Sequence, residues 1–86
     1  MISLNIRNAI DNYTETSIFE MLYKNKKLKV SYYDELLNFK DNVITIIKDN
    51  NKYVIKGTNL SIESLFKEYL VIKGNIKDIV IEEYHE

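Results

Sequence analysis

The sequence predicts an all-β domain: an antiparallel, twisted meander of six or seven strands behind a short N-terminal amphipathic helix. Two observations carry the prediction. Ile, Val, Tyr, Phe and Thr, which fit a pleated and half-buried surface, supply 32 of the 86 residues, against a single Ala. From residue 17 the apolar period is two, and turn residues recur roughly every seven to twelve positions. A chain of this size supports one core, because it buries only somewhat more than ~60 % of its unfolded surface. Residues 1–16 are therefore read as an N-terminal amphipathic segment and residues 17–86 as the β domain.

In the first segment Ile2, Ile6, Ala9, Ile10 and Tyr13 share one helical face, with Asn5, Arg7, Asn8, Asp11 and Asn12 opposite. A short helix over 2–13 follows, with a strand as the competing reading because Ile, Asn and Tyr are mediocre helix formers. Beyond it, Phe19, Met21 and Tyr23 alternate with Ile18 and Leu22, which makes a strand. Lys24-Asn25-Lys26 is then a hairpin turn into Leu28, Val30 and Tyr32. Asp34-Glu35 breaks the alternation before Leu36 and Leu37, so a bulge or bend is expected there. Val43 to Ile47 is apolar on both faces except for Thr45 and reads as a strand covered on both sides.

Asp49-Asn50-Asn51-Lys52 tolerates positive φ and predicts a tight hairpin. Tyr53 and Ile55 follow on one face, and Gly57 is expected to end that strand. Leu60 and Ile62 resume the alternation to about Leu65. Residues 61–69 read as strand followed by turn, with a single helical turn over Ser61 to Glu68 as the alternative. Tyr69 to Lys73 and Ile76 to Glu83 are the last strands, divided at Gly74. The tetrapeptide Val-Ile-Lys-Gly occurs at both 54–57 and 71–74, which suggests two equivalent hairpin arms. Glycine at these structural turns, Gly57 and Gly74, allows φ > 0 or a backbone approach too close for a side chain.

The chemistry is sparse. Without Cys, Pro or Trp and with two Gly, the chain lacks a disulfide scaffold, a thiol nucleophile, a Cys-based zinc site and a Gly-rich phosphate cradle. The one His, His85, sits in a charged tail, and the pairs Asp34-Glu35 and Glu82-Glu83 point to opposite faces of a strand. No catalytic, cofactor-binding or metal-binding residue is assigned, no cofactor is expected, and the chain reads as a non-enzyme. Stretches such as Leu70-Val71-Ile72 fall far short of the ~18 to 20 apolar residues that span a bilayer, and no export signal is visible, so a cytoplasmic location is expected. A formal charge of −1 gives no general attraction to nucleic acid. The densest basic run, Lys24, Lys26, Lys27 and Lys29 beside Tyr32 and Tyr33, is the candidate surface. It fits a single-strand nucleic-acid groove or a soluble sheet edge that resists aggregation.

A family likeness lies in Leu28-Lys29-Val30, the apolar step Leu36 and Phe39, Val43-Ile44-Thr45-Ile46, Tyr53 to Ile62, and Leu70 to Ile76 with Ile79. Two apolar-x-Gly units are followed by x-x-Leu-x-Ile and by x-Ile-x-x-Ile. In these residues the stretch from Lys27 to Glu83 resembles the YabP/YqfC family of small bacterial sporulation proteins. The resemblance implies a non-catalytic role in endospore formation and transfers no catalytic residue. An open meander leaves edges, so the expected mode of action is pairing with a protein partner or a second copy. The rival expectation is a small inhibitor or adaptor of mobile-element origin, which gene neighbourhood would separate.

Overall fold

The computed structural model describes residues 18–84. The helix expected over 2–13, and His85, lie outside the described residues. Among those described the domain is all-β, with six antiparallel strands in one sheet: β1 (Glu20–Lys24), β2 (Lys27–Ser31), β3 (Glu35–Phe39), β4 (Val43–Lys48), β5 (Asn51–Leu65) and β6 (Tyr69–Glu83). The order across the sheet is β1-β2-β6-β5-β4-β3. Strands β3 to β6 follow one another as a meander. The β1–β2 hairpin departs from it by pairing β2 with β6 rather than β3.

The tight turns form where side chains tolerate a left-handed backbone. Asn25 and Lys26 (φ 53° and 62°) join β1 to β2, and Asp49 and Asn50 (φ 50° and 65°) join β4 to β5. Two successive positive φ values make a turn whose twist matches the strands it links. Between β2 and β3 the chain bends at Tyr32, also at positive φ, and the register shift falls at Leu37, between Leu36 and Asn38. The first turn after β5 is Phe66 to Glu68, so residues 61–69 are strand and turn, not helix.

Gly57 and Gly74 do not end strands. Strands β5 and β6 run through them as a single hairpin with 15 residues in each arm. Register shifts between Lys56 and Gly57, Thr58 and Ser61, and Ile62 and Ser64 bend that hairpin in the middle. Bulges bend and twist a strand without ending it, which is why two expected strand pairs merge into two long strands. Before the bend β5 pairs with β4 through Lys56; before its own bend β6 pairs with β2 through Lys73. The sheet therefore has two halves that share the β5–β6 hairpin.

The repeated tetrapeptide marks their equivalence. Leu28 of β2 lies opposite Ile72, and Ile44 of β4 lies opposite Ile55. The N–H of Gly74 donates to the carbonyl of Lys26 in one hairpin turn (3.2 Å), and that of Gly57 to Asn42 in the other (3.1 Å). Leu28, Val30, Leu70 and Ile72 from one half join Ile44, Ile46, Ile55 and Leu60 in one buried cluster. Because these side chains project from one face of a continuous sheet, the sheet must fold over itself to bring them together. Strand β4 is buried on both sides, with Thr45 and Ile47 closed from solvent opposite Ile44 and Ile46.

Candidate functional site

Two features stand apart from the core. The first is the outward face of the β1-β2-β6 half. Lys24 lies opposite Lys27, and Lys27 opposite Lys73, so three like charges stand in a row across three strands. Such placement is destabilising in a sheet. Lys27 is relieved by Glu63, whose carboxylate accepts from its ammonium at 3.1 Å. Lys29 on the same face sits 4.6 Å over the ring of Tyr69.

The structure keeps part of the sequence-derived surface together and separates the rest. Lys24, Lys27 and Lys29 share the outward face. Lys26 occupies the hairpin turn, where its carbonyl receives the Gly74 N–H. Tyr33 leaves the group: its ring packs against the core, and its hydroxyl donates to the Phe66 carbonyl at 3.1 Å. Burial raises its phenol above the ordinary tyrosine range. Tyr32 is held by its N–H, which donates to the Glu68 carbonyl at 2.7 Å. In place of these two tyrosines the fold supplies Lys73 and Tyr69, more than forty positions from Lys24 in sequence, which no local pattern connects to it.

The second feature is a pair of half-edges that sequence reasoning did not locate. Among the described residues, past Lys73 β6 has no strand on the side that β2 occupied, and past Lys56 β5 has none on the side that β4 occupied, where the N–H groups of Gly57 and Leu60 instead donate to the carbonyls of Asn42 and Asp41 in the β3–β4 turn. Each half-edge borders an open groove. One, of about 410 Å³, is lined by Tyr23, Leu28, Ile76, Lys77, Asp78 and Ile79. The other, of about 300 Å³, is lined by Phe39, Lys40, Asp41, Ile44, Leu60, Ser61 and Ile62. Tyr23 and Phe39, which project from β1 and β3 toward corresponding core residues Leu28 and Ile44, are 52 % and 65 % exposed.

Among the acidic residues Asp34 has a structural task. Its Oδ2 accepts the backbone N–H of Asp49 at 2.9 Å, and its Oδ1 accepts from Lys48 Nζ at 3.4 Å. The first of these bonds, then the Lys48 charge, hold its carboxyl below the usual range. Among the described residues no three His, Cys, Asp or Glu side chains converge on a point that could hold a metal ion, and no helix is long and apolar enough to cross a membrane. Compared with known proteins, the chain matches no family model, no curated protein and no solved structure.

Proposed function

We propose that this chain is a non-enzymatic, cytoplasmic sporulation-associated protein that works as a protein-interaction module through the half-edges of its sheet. The observation that carries the mode of action is the early loss of a lateral partner by β5 and β6 while each continues as strand. Unpaired N–H and C=O groups on a strand template the addition of another strand, and adjacent pockets select its side chains. A groove with an exposed aromatic beside each half-edge suits that recognition. The sporulation role is supported by the likeness to YabP/YqfC proteins in the strand-end units at 54–62 and 71–79.

The test is made in an endospore-forming bacterium that carries the gene. Deletion is expected to lower the yield of heat-resistant spores, and the tagged chain to recover a partner that is lost when Pro is placed on a half-edge. Normal spore yield together with no edge-dependent partner would overturn the proposal.

A second reading is favoured by the row Lys24, Lys27 and Lys73 beside Tyr69: a surface for single-stranded nucleic acid. Binding to a mixed oligonucleotide that weakens steeply with salt would support it. Absence of salt-sensitive binding at micromolar protein would end it.

A further inference from the structure

We propose that the turn between β5 and β6 is a stacking platform for a nucleobase of single-stranded nucleic acid. Phe66 takes the base, while Lys29 and the row Lys24, Lys27 and Lys73 take the phosphates that follow. This rests on the second reading of the basic face and names the group that gives that face an aromatic contact.

Phe66 is an unusual residue for its place. Tight turns are mostly built from Gly, Pro, Asn, Asp and Ser, which suit water and a bent backbone. The turn from Phe66 to Glu68 contains none of them, and Phe66 is 52 % exposed. A single exposed apolar side chain is ordinary in itself. What sets this one apart is how its backbone is held. The Phe66 N–H donates to the Tyr69 carbonyl at 2.8 Å, and the Phe66 carbonyl accepts the Tyr33 hydroxyl at 3.1 Å. One residue further on, the Glu68 carbonyl accepts the Tyr32 N–H at 2.7 Å. Both main-chain groups of Phe66 are engaged, and both tyrosines of the β2–β3 connection serve the turn.

Tyr32 makes its bond at φ 55°, in the left-handed region that bulky side chains rarely adopt. Strain of this kind persists where the surroundings over-determine it, and it clusters at ligand clamps. The turn is therefore preorganised, and a ligand that stacks on Phe66 has little ordering left to offset.

The ring is buttressed on one side only. Tyr69 packs on Phe66 with centroids 5.0 Å apart and planes at 42°, and about half of Phe66 stays open to solvent. Lys29 Nζ lies 4.6 Å over the Tyr69 ring, which sets an ammonium beside the platform. An aromatic surface with a cation next to it matches the two parts of a nucleotide, the base and its phosphate. The base must be unpaired and splayed out, because the bases of a duplex already stack on one another.

Charge gives the bound strand a direction. Tyr69 lies opposite Ser31, and Ser31 opposite Glu20, so Glu20 and the turn residue Glu68 stand at the platform end. Glu63 is paired with Lys27. Away from that end the face is cationic: Lys29 is followed by the row of Lys24, Lys27 and Lys73. Lys73 is four residues from Tyr69 on β6, about 13 Å along the strand, a distance that a few nucleotides cross. The phosphates accordingly run from Lys29 toward Lys73 and Lys24.

The experiment titrates the full chain with a labelled oligothymidylate and with an abasic strand of the same length and charge, each at two salt concentrations. Both are expected to bind with steep salt dependence, the oligothymidylate roughly 5- to 150-fold more tightly, which is the range for one stacked base. Phe66→Leu keeps an apolar side chain but no ring face, so it should bring the oligothymidylate down toward the abasic strand without changing the salt slope. Lys73→Thr should weaken both strands alike and lower the slope. Phe66→Trp places an indole in a chain that has no Trp. Its affinity should hold or rise, and its fluorescence should be quenched by the oligothymidylate and not by the abasic strand; this variant covers the case in which Phe66→Leu does not fold. Equal affinity for the two strands, an unaltered Phe66→Leu or an unquenched Phe66→Trp would overturn the platform and leave the basic face standing. No salt-sensitive binding of either strand overturns both. Phe66-dependent binding to vesicles of anionic phospholipid, with none to the oligothymidylate, overturns the platform in favour of a membrane surface.

Discussion

The carbonyl of Asn75 on β6 occupies the place that a side chain at Gly57 on β5 would need. The relation is reciprocal. A Cβ at Gly74 would stand 2.5 Å from the carbonyl oxygen of Asn59, and Gly74 also has φ +138°, where L side chains are strained. The two glycines thus let the arms of the hairpin touch at the bend, and the bend brings the halves of the core together. Gly57→Ala is expected to cost about 1–3 kcal/mol through overpacking. Gly74→Ala should cost more, because about 1–3 kcal/mol of backbone strain adds to the contact. Thr58→Ala, on the exposed side of the same bend, should stay within about 0.5 kcal/mol. Urea midpoints at constant slope check all three.

Ile55 and Ile72 occupy matching places in the two halves, each the second residue of its Val-Ile-Lys-Gly unit and each fully buried. Ile→Val at either position removes one methyl group from the shared cluster. Each is expected to lower stability by about 0.5–1.5 kcal/mol, with closely similar values. Because both side chains line one core, the double variant should depart measurably from the sum of the two. A large loss at one position and none at the other would show that the halves are not energetically equivalent.

Much of the sheet is legible in the sequence, for reasons that differ by element. Strand β4 declares itself because Val43 to Ile47 is apolar on both faces, and both faces are buried. The turns at Asn25-Lys26 and Asp49-Asn50 are visible because the residues that accept positive φ sit between alternating runs. The glycines mislead, since a glycine between two alternating runs reads the same whether the strand stops or bends. What decides is the backbone of the opposite arm, seventeen or so residues away and without a local signature. The candidate surface divides likewise. Lys24, Lys27 and Lys29 are visible as a run, but Lys73 and Tyr69 join them only because β6 pairs with β2, a non-consecutive contact. The half-edges are illegible for the same reason, being set by where β2 and β4 stop.

Asp34 ties the β2–β3 connection to the β4–β5 turn through the Asp49 N–H and Lys48. Its carboxyl is held below its unfolded value, so the stability it contributes is fully present above the unfolded carboxylate pKa, about 3.9. That contribution is lost as pH falls through the lower folded value. Asp34→Ala is expected to cost about 1 kcal/mol at neutral pH, as for loss of an exposed hydrogen bond to a charged group. The gap between the two proteins should close in acid. Chemical denaturation across pH 2 to 7 measures it, and a constant gap down to the lowest pH would show that the carboxylate is not the source.

Lys73 completes the row with Lys24 and Lys27, and among the described residues Lys27 alone of the three has a carboxylate against it. Thr is a good strand residue, so Lys73→Thr removes a like charge without weakening the strand. It is expected to raise stability by about 0.2–1 kcal/mol at low salt. At 1 M salt, where the screening length falls to about 3 Å, the gain should shrink toward zero. Added salt should correspondingly stabilise the native chain more than the variant. If the basic face binds single-stranded nucleic acid, the same substitution weakens that binding and lowers its salt slope by about one. A more stable variant with unchanged oligonucleotide affinity would mean that the lysine row burdens the fold without serving nucleic acid.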